Sequence, residues 1–341
     1  MRIAEIAPVW IPVPPPSYGG IEVIVGLLAD GLVDRGHDVT LFAASGSRTN
    51  ARLVSPVPGA RELSALGADI YTEVAHALPA YLKADEFDVI HDHTGLGTAL
   101  GAVRNGRPPV VHTLHGPWTD SSRRFFAALS PPVHLIAISH DQAQVNPGLQ
   151  YAGVVHNGVD LTAYPWRKDK DDFLLFLGRC SPEKGPELAV EVAKRAGRPL
   201  VMIVKRSEPQ EHAHWEAEVA PRLRGDEEVL HDVTHDVKVD LLGRARATLF
   251  PSQWPEPFGL VMIESMACGT PVVATPLGAA PEIVVDGGTG VLASTVEDMV
   301  SALMRVDDIS PVACREHVSE HFSAEAMVVG TERILERLST V

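Results

Sequence analysis

Apolar positions fall into short unbroken runs, separated by stretches in which apolar residues recur three and four apart. RIAEIAP at 2–8 predicts a strand. Residues 20–35 (GIEVIVGLLADGLVDR) place Ile, Val and Leu at helical spacing and predict a helix. HDVTLFAA, EFDVIHDH, PPVVHTLHG and VHLIAIS predict four more strands. These runs are continuous rather than alternating, as expected of parallel strands covered on both faces. The pattern breaks at 160–172 (DLTAYPWRKDKDD), where Pro165 and a charge cluster predict an interdomain linker over 161–172. A second series follows. DFLLFLGR, PLVMIVK, ATLFPS and PVVAT predict strands; PELAVEVAKRAG, VKVDLLGRAR, GLVMIESMACG and VEDMVSALMRV predict helices. Strand–helix alternation predicts two doubly wound α/β domains, 1–160 and 173–322, facing a central cleft. A last helix is predicted at 323–338.

Composition narrows the class. The chain has 341 residues, 45% hydrophobic and 21% charged, which excludes wholesale disorder and suits two domains. A net charge of −15 argues against nucleic acid and anionic lipid as partners. Cys180, Cys268 and Cys314 are too few and too odd for a disulfide framework, so a reducing cytoplasm is expected. No apolar h-region opens the sequence and no 18-residue apolar run occurs, so secretion and membrane spanning are disfavoured.

Candidate chemistry concentrates in Glu256-Pro257-Phe258-Gly259-Leu260, followed by Glu264. Pro255 and Pro257 stiffen this loop. Gly259 permits close backbone approach and precedes a helix, whose N-terminal N–H groups and positive dipole end suit a phosphate. Glu256 and Glu264 can accept hydrogen bonds from sugar and ribose hydroxyls. Taken singly, either glutamate reads better as a residue that simply favours a helix N-terminus.

The longer string decides the matter. EPFGLVMIESMACGTPVVAT closely resembles the two-glutamate signature of the retaining GT-B glycosyltransferases of family 4. Tyr18-Gly19-Gly20-Ile21-Glu22, DVIHDH with HTLHG, Asn157-Gly158-Val159-Asp160, GRCSPEKG at 178–185 and GAAPEIVVDGGTGVL resemble further family motifs in the family's order. The resemblance covers essentially the whole chain. It implies a GT-B fold of two Rossmann-like domains and transfer of a hexosyl unit, with retention, from a UDP-, GDP- or dTDP-sugar to a hydroxyl acceptor. Arg179 and Lys184 would neutralise the leaving diphosphate, which two cations at a strand-to-helix junction suit physically. Backbone N–H groups of Phe258, Gly259 and Leu260 would contact the donor, with Pro257 in the same donor-binding loop. Glu264 would hold the ribose, Glu256 the sugar hydroxyls, and Gly20 would let its loop approach the phosphates. His115 would contact the donor sugar near the reacting centre. His93 and Glu22 are candidates for the acceptor side. Closure of the cleft would bring the first-domain residues onto the donor, and the 323–341 helix would pack back across the first domain.

Other patterns change less. His91, His93, His112 and His115 give H-x-H and H-x-x-H at two strand ends, a metal-like spacing. Yet His112 and His115 should diverge along a strand, and only Asp92 adds a carboxylate, so a polar cleft lining is expected and no metal. Asp169-Lys170-Asp171 spells Asp-x-Asp, but in a charged linker before a strand, where solvation is the expected role. No cofactor is expected; the partners are the sugar nucleotide and a soluble small-molecule or saccharide acceptor. Two departures from the family pattern stand out. Lys205-Arg206-Ser207 replaces a glycine-containing turn, so Lys205 or Arg206 is a candidate for extra phosphate contacts; EEVLHDVTHDV lacks the usual glycine before its helix. Two rival functions stay open: an epimerase or phosphorylase of the same fold, and a non-catalytic sugar-nucleotide-binding protein.

Overall fold

The structure is a computed structural model that describes residues 1–16, 19–57, 70–104, 107–231 and 233–340. Tyr18, in the glycine-loop motif, lies outside these residues. The chain divides into two compact units: Met1–Gly158 with Ala324–Val341, and Val159–Ser323.

The first unit is built on a seven-stranded, wholly parallel sheet. Its strands are β1 (Arg2–Ile6), β2 (Asp38–Phe42), β3 (Arg52–Val54), β4 (Val89–Asp92), β5 (Val110–Leu114), β6 (Val133–Ala137) and β7 (Tyr151–Val154). Their order is β3-β2-β1-β4-β5-β6-β7. The apolar runs lie in the interior: Ile3, Ile6, Leu41, Ile90, Val111, Leu135 and Ile136 are fully buried. Parallel strands need crossovers, and the long Gly20–Asp34 helix makes the first one. The chain order reverses between β1 and β4, which is where ligands of such sheets bind, beyond the carboxyl ends.

The second unit repeats the plan with six parallel strands: β8 (Leu174–Arg179), β9 (Leu200–Lys205), β10 (Glu228–Leu230), β11 (Ala247–Phe250), β12 (Val272–Ala274) and β13 (Gly290–Leu292). Their order is β10-β9-β8-β11-β12-β13, so the reversal falls between β8 and β11. The short strands β3, β7, β10 and β13, three or four residues each, carried no sequence signal of their own. They lie at or beside the sheet edges, and pairing with a neighbour rather than an apolar run defines them.

Two stretches bear on the expected domain organisation, and the first departs from it. Residues 161–172 are largely exposed, Asp169 among them, but they are tied to the second unit rather than forming a free connector. Lys170 Nζ donates to Gly243 O (2.8 Å), Cys268 O (3.1 Å) and Thr270 Oγ1 (2.8 Å), and Asp171 pairs with Arg244. Arg315 donates to the carbonyls of Leu161 and Tyr164 from below, so the strap is fixed to the second unit. Burial pushes the Lys170 ammonium down to about 8. The lysine and the second aspartate of Asp169-Lys170-Asp171 are therefore occupied by protein partners. The terminal helix Ala324–Ser339 belongs to the first unit. Its Glu332 accepts from Arg35 (2.8 Å) and lies 2.7 Å from His37 Nε2, while Val328 sits against Gly31. The three cysteines are buried and free. Among the described residues no helix is long and apolar enough to cross a membrane.

Candidate active site

In the second unit the predicted donor residues converge at the β8/β11 reversal. Arg179 ends β8, and Lys184 closes the 3-10 turn Pro182–Lys184 that follows. The Glu256 loop leaves β11 from the neighbouring strand. A close ion pair joins Lys184 Nζ to Glu256 Oε2, the same oxygen that accepts from Trp254 Nε1 (2.8 Å). The Lys184 ammonium also lies 5.6 Å from the Trp254 ring centre, within cation–π range.

The loop's backbone is pinned from the other side. Ala279 N donates to Glu256 O (2.9 Å), and Gly278 packs so tightly that a Cβ there would lie 2.3 Å from Glu256 O and 2.4 Å from Glu256 N. Gly278 (φ +59°) and Gly259 (φ +93°) both adopt left-handed backbone, which side chains resist. At Gly259 a Cβ would meet Met262 Cε at 2.7 Å. Gly259 thereby starts the helix Leu260–Ala267, whose first N–H groups lack a helical acceptor, apart from Met262 N, which donates to Gly259 O (3.0 Å). Phe258 is buried, its ring 6.0 Å from that of Phe322, so the turn is anchored at its apolar residue. Pro257 is likewise buried.

Glu264 lies one turn into that helix and is nearly buried. Its Oε1 accepts from Tyr164 Oη (2.7 Å) and Lys238 Nζ (2.7 Å). Burial alone would raise the Glu264 carboxyl; the Lys238 charge and hydrogen bond outweigh it and hold it below the usual carboxylate range. Tyr164, pushed far up by burial and then by the Glu264 charge, stays protonated and donates. Neither Tyr164 nor Lys238 was a sequence candidate. Tyr164 sat in the supposed linker, and Lys238 occupies the helix His235–Arg244, which Thr234 rather than a glycine caps. An aromatic residue inside a charged stretch was the one available signal.

Arg179 is half-buried, with an Nη2–Oε1 hydrogen bond to Glu183 (2.8 Å) and Glu211 at 3.7 Å. Arg206 lies across the Trp215 ring (4.4 Å) and contacts His231 Nε2 (2.6 Å), bracing the ends of β9 and β10.

In the first unit, register brings a second cluster together at the β1/β4 reversal. Glu5 pairs with His91 across the two strands, so both side chains share one face. His93, two residues on, joins them. His93 Nε2 lies 2.5 Å from Glu5 Oε1, and its Nδ1 lies 2.7 Å from His115 Nε2. His91 Nδ1 lies 3.1 Å from Glu5 Oε1, and its Nε2 lies 2.8 Å from Thr113 Oγ1. His112 and Asp92 take the opposite face: His112 packs on Phe126 (4.9 Å), and Asp92 accepts from Tyr81 Oη (2.7 Å).

Sequence reading found the imidazoles but missed Glu5, although an acid inside the apolar run RIAEIAP was its signal. Burial would raise the Glu5 carboxyl, but His91 and His93 together hold it at about 2. Burial, with His91 adding to it and Glu5 opposing, pushes His93 down to about 4. His93 is 4% exposed with both nitrogens engaged, which leaves none for an acceptor. Glu22 is 5% exposed in the first turn of its helix, whose first residue is Gly20. Ligand atoms of Glu5, His91 and His93 lie within 4.8 Å of one another, a set whose chemistry could also hold a metal ion.

Comparison with known proteins speaks to the family and the fold. Residues 18–163 match the family model Glycosyltransferase Family 4, and residues 165–309 match Glycosyl transferases group 1. D-inositol 3-phosphate glycosyltransferase of Mycolicibacterium smegmatis is 26% identical over 89% of this chain and 82% of that one. Alpha-maltose-1-phosphate synthase of the same organism is 28% identical over 99% of this chain and all of its own. Among solved structures, AviGT4, a glycosyltransferase involved in avilamycin A biosynthesis, superposes with a TM-score of 0.76 at 27% identity, covering 100% of this chain and 98% of that one. With matches across both halves, the chain belongs to the family 4 glycosyltransferases and is a glycosyltransferase of the GT-B type.

Proposed function

We propose that the protein transfers a hexosyl unit from a nucleotide diphosphate sugar to a hydroxyl of a small-molecule or saccharide acceptor, with retention of configuration. The observation that carries this reading is the pairing of Lys184 with Glu256 and of Lys238 with Glu264 on either side of the Leu260–Ala267 helix N-terminus. Two carboxylates paired with cations suit a ligand that is diphosphate at its centre and polyhydroxylated at both ends. The phosphates take Arg179, Lys184 and the helix N–H groups. The ribose hydroxyls donate to Glu264 and the sugar hydroxyls to Glu256.

Charge that develops on the leaving diphosphate is met by these cations, so neutralisation is assigned to protein groups rather than a metal. Retention follows a front-face course. The leaving phosphate oxygen takes the proton of the acceptor hydroxyl as that oxygen bonds to the anomeric carbon and the glycosyl–phosphate bond breaks. Glu5 is fully buried and held by two imidazoles, which removes it as a nucleophile. His115 hydrogen-bonds to a hydroxyl of the transferred sugar.

The test is a thermal-shift screen with UDP-, GDP- and dTDP-hexoses, then product analysis. A ligand that binds only the native state raises the midpoint, by RT ln(1 + [L]/Kd) in free energy. NMR of the product with the donor so found should show the anomeric configuration of the donor, and an inverted product rules the retaining course out. Conversion of the sugar nucleotide without an acceptor, or a requirement for phosphate, would instead reveal an epimerase or a phosphorylase.

A further inference from the structure

Glu5, His93 and His115 form a linear chain of hydrogen-bonding groups that starts at a fully buried carboxylate and ends at a half-buried imidazole. An ionised carboxylate only accepts. Glu5 Oε1 therefore takes the hydrogen of His93 Nε2 at 2.5 Å. A neutral imidazole that carries its proton on Nε2 has only a lone pair on Nδ1. His115 Nε2, 2.7 Å from that lone pair, must then be the donor.

We propose that Glu5, acting through His93, is a positioning residue that fixes the proton of His115 on Nε2 and leaves His115 Nδ1 as a hydrogen-bond acceptor for a sugar hydroxyl. The importance of that Nδ1 to turnover rests on the function proposed above; the fixed tautomer does not.

The surroundings agree with one direction of the chain. His91 shares the Glu5 carboxylate at 3.1 Å and meets the Thr113 hydroxyl with its other nitrogen, so it offers no competing partner to His93 Nδ1. His112 faces away, stacked on Phe126, and Asp92 is taken by Tyr81 and Thr94. The His93 and His115 rings lie near-parallel, 29° apart with centres 5.0 Å apart; each follows directly on the end of a strand, and His93 N donates to Ile6 O (2.9 Å). Burial and the neighbouring imidazoles push both rings toward the neutral form. This is the logic by which a carboxylate behind a histidine selects its tautomer, extended by one imidazole.

The experiment reads protonation directly, on the unliganded protein labelled with 15N-histidine. Long-range 15N–1H correlation spectra are recorded from pH 6 to 9, with assignment by His93→Gln and His115→Gln. The expected result is His115 in a single tautomer, Nε2 protonated and Nδ1 bare, across the whole range. Glu5→Gln keeps an acceptor oxygen and should preserve it; Glu5→Leu removes the acceptor and should give a mixture. Where Glu5→Leu fails to fold, the wild-type and Glu5→Gln spectra decide alone. His115 protonated on Nδ1, or charged near pH 7, overturns the proposal. So does one equivalent of zinc, found by emission spectroscopy or taken up on titration, that perturbs His91 and His93: as metal ligands they would force His93 to donate from Nδ1. Donor turnover separates the two readings. A single Nε2–H tautomer with unchanged turnover in His115→Ala would remove the sugar contact and leave the relay standing. If both hold, Glu5→Leu lowers kcat roughly 10-fold or more with little change in donor KM, and Glu5→Gln restores most of it.

Discussion

The two units use one topology and place polar residues at the same topological point, yet the two clusters are opposite in kind. At the β1/β4 reversal a carboxylate sits fully buried among imidazoles. At the β8/β11 reversal the carboxylates pair with lysines whose side chains keep 18% and 22% of their exposure. Burial explains the difference. A lysine buried among apolar strands would lose its charge, whereas an imidazole is neutral there at little cost. The half-open cluster pairs lysines with carboxylates and suits an anionic ligand; the closed one holds imidazoles around one carboxylate in a set order and suits hydrogen bonding.

Acid should split the two units most widely. His76 and His93 are held at about 4 and His112 at about 3, each mainly by burial and all in the first unit. Their folded values lie below the unfolded value of about 6.5, so the unfolded chain binds protons first. Their contribution is intact above pH 6.5 and is lost as pH falls toward 4 and 3, each with a slope of up to about 1.4 kcal/mol per pH unit. Chemical denaturation between pH 7 and 4 should show the first unit's transition moving to lower denaturant more than the second's. Equal movement would break the contrast.

Within the charged cluster, Lys184→Ala should lower kcat about 10²- to 10³-fold, the scale for one lost electrostatic contact in the transition state. Steady-state rates with the donor from the screen measure it. Gly278→Ala should cost about 3 kcal/mol in a urea titration, because left-handed backbone and a 2.3 Å approach to Glu256 O both oppose a methyl group. Glu264→Ala should weaken donor binding about 10- to 100-fold by titration calorimetry, the scale for a charged hydrogen bond. The smallest change is at the tail. Arg35→Ala removes solvent-exposed ion pairs with Glu325 and Glu332 and should move the midpoint of a urea titration only slightly. A larger shift would show that the terminal helix depends on those pairs.

Much of the fold was legible because buried parallel strands are apolar along most of their length, as in DVTLF and LLFLGR. The donor candidates were legible because the continuous string EPFGLVMIESMACGTPVVAT resembles a family motif, and such a string is read without tertiary information. Glu5 escaped because a strand's hydrophobic count hides one acid, and its partners are 86 and 88 residues away in sequence. Tyr164 escaped because charge density in 160–172 imitates a linker while its partner Glu264 lies 100 residues on, and Lys238 escaped because nothing local marks one lysine of a polar helix face as the partner of a glutamate in another helix.

Sequence alone determined the repeated strand–helix alternation, the glycine turn before Leu260 and the identities of Arg179, Lys184, Glu256 and Glu264, since each depends on residues close in the chain. Tertiary structure decided which cation faces which carboxylate, which face of β4 meets Glu5, and which nitrogen of His93 remains for His115. Those outcomes turn on strand register and burial, and both are set only when segments distant in the chain pack against one another.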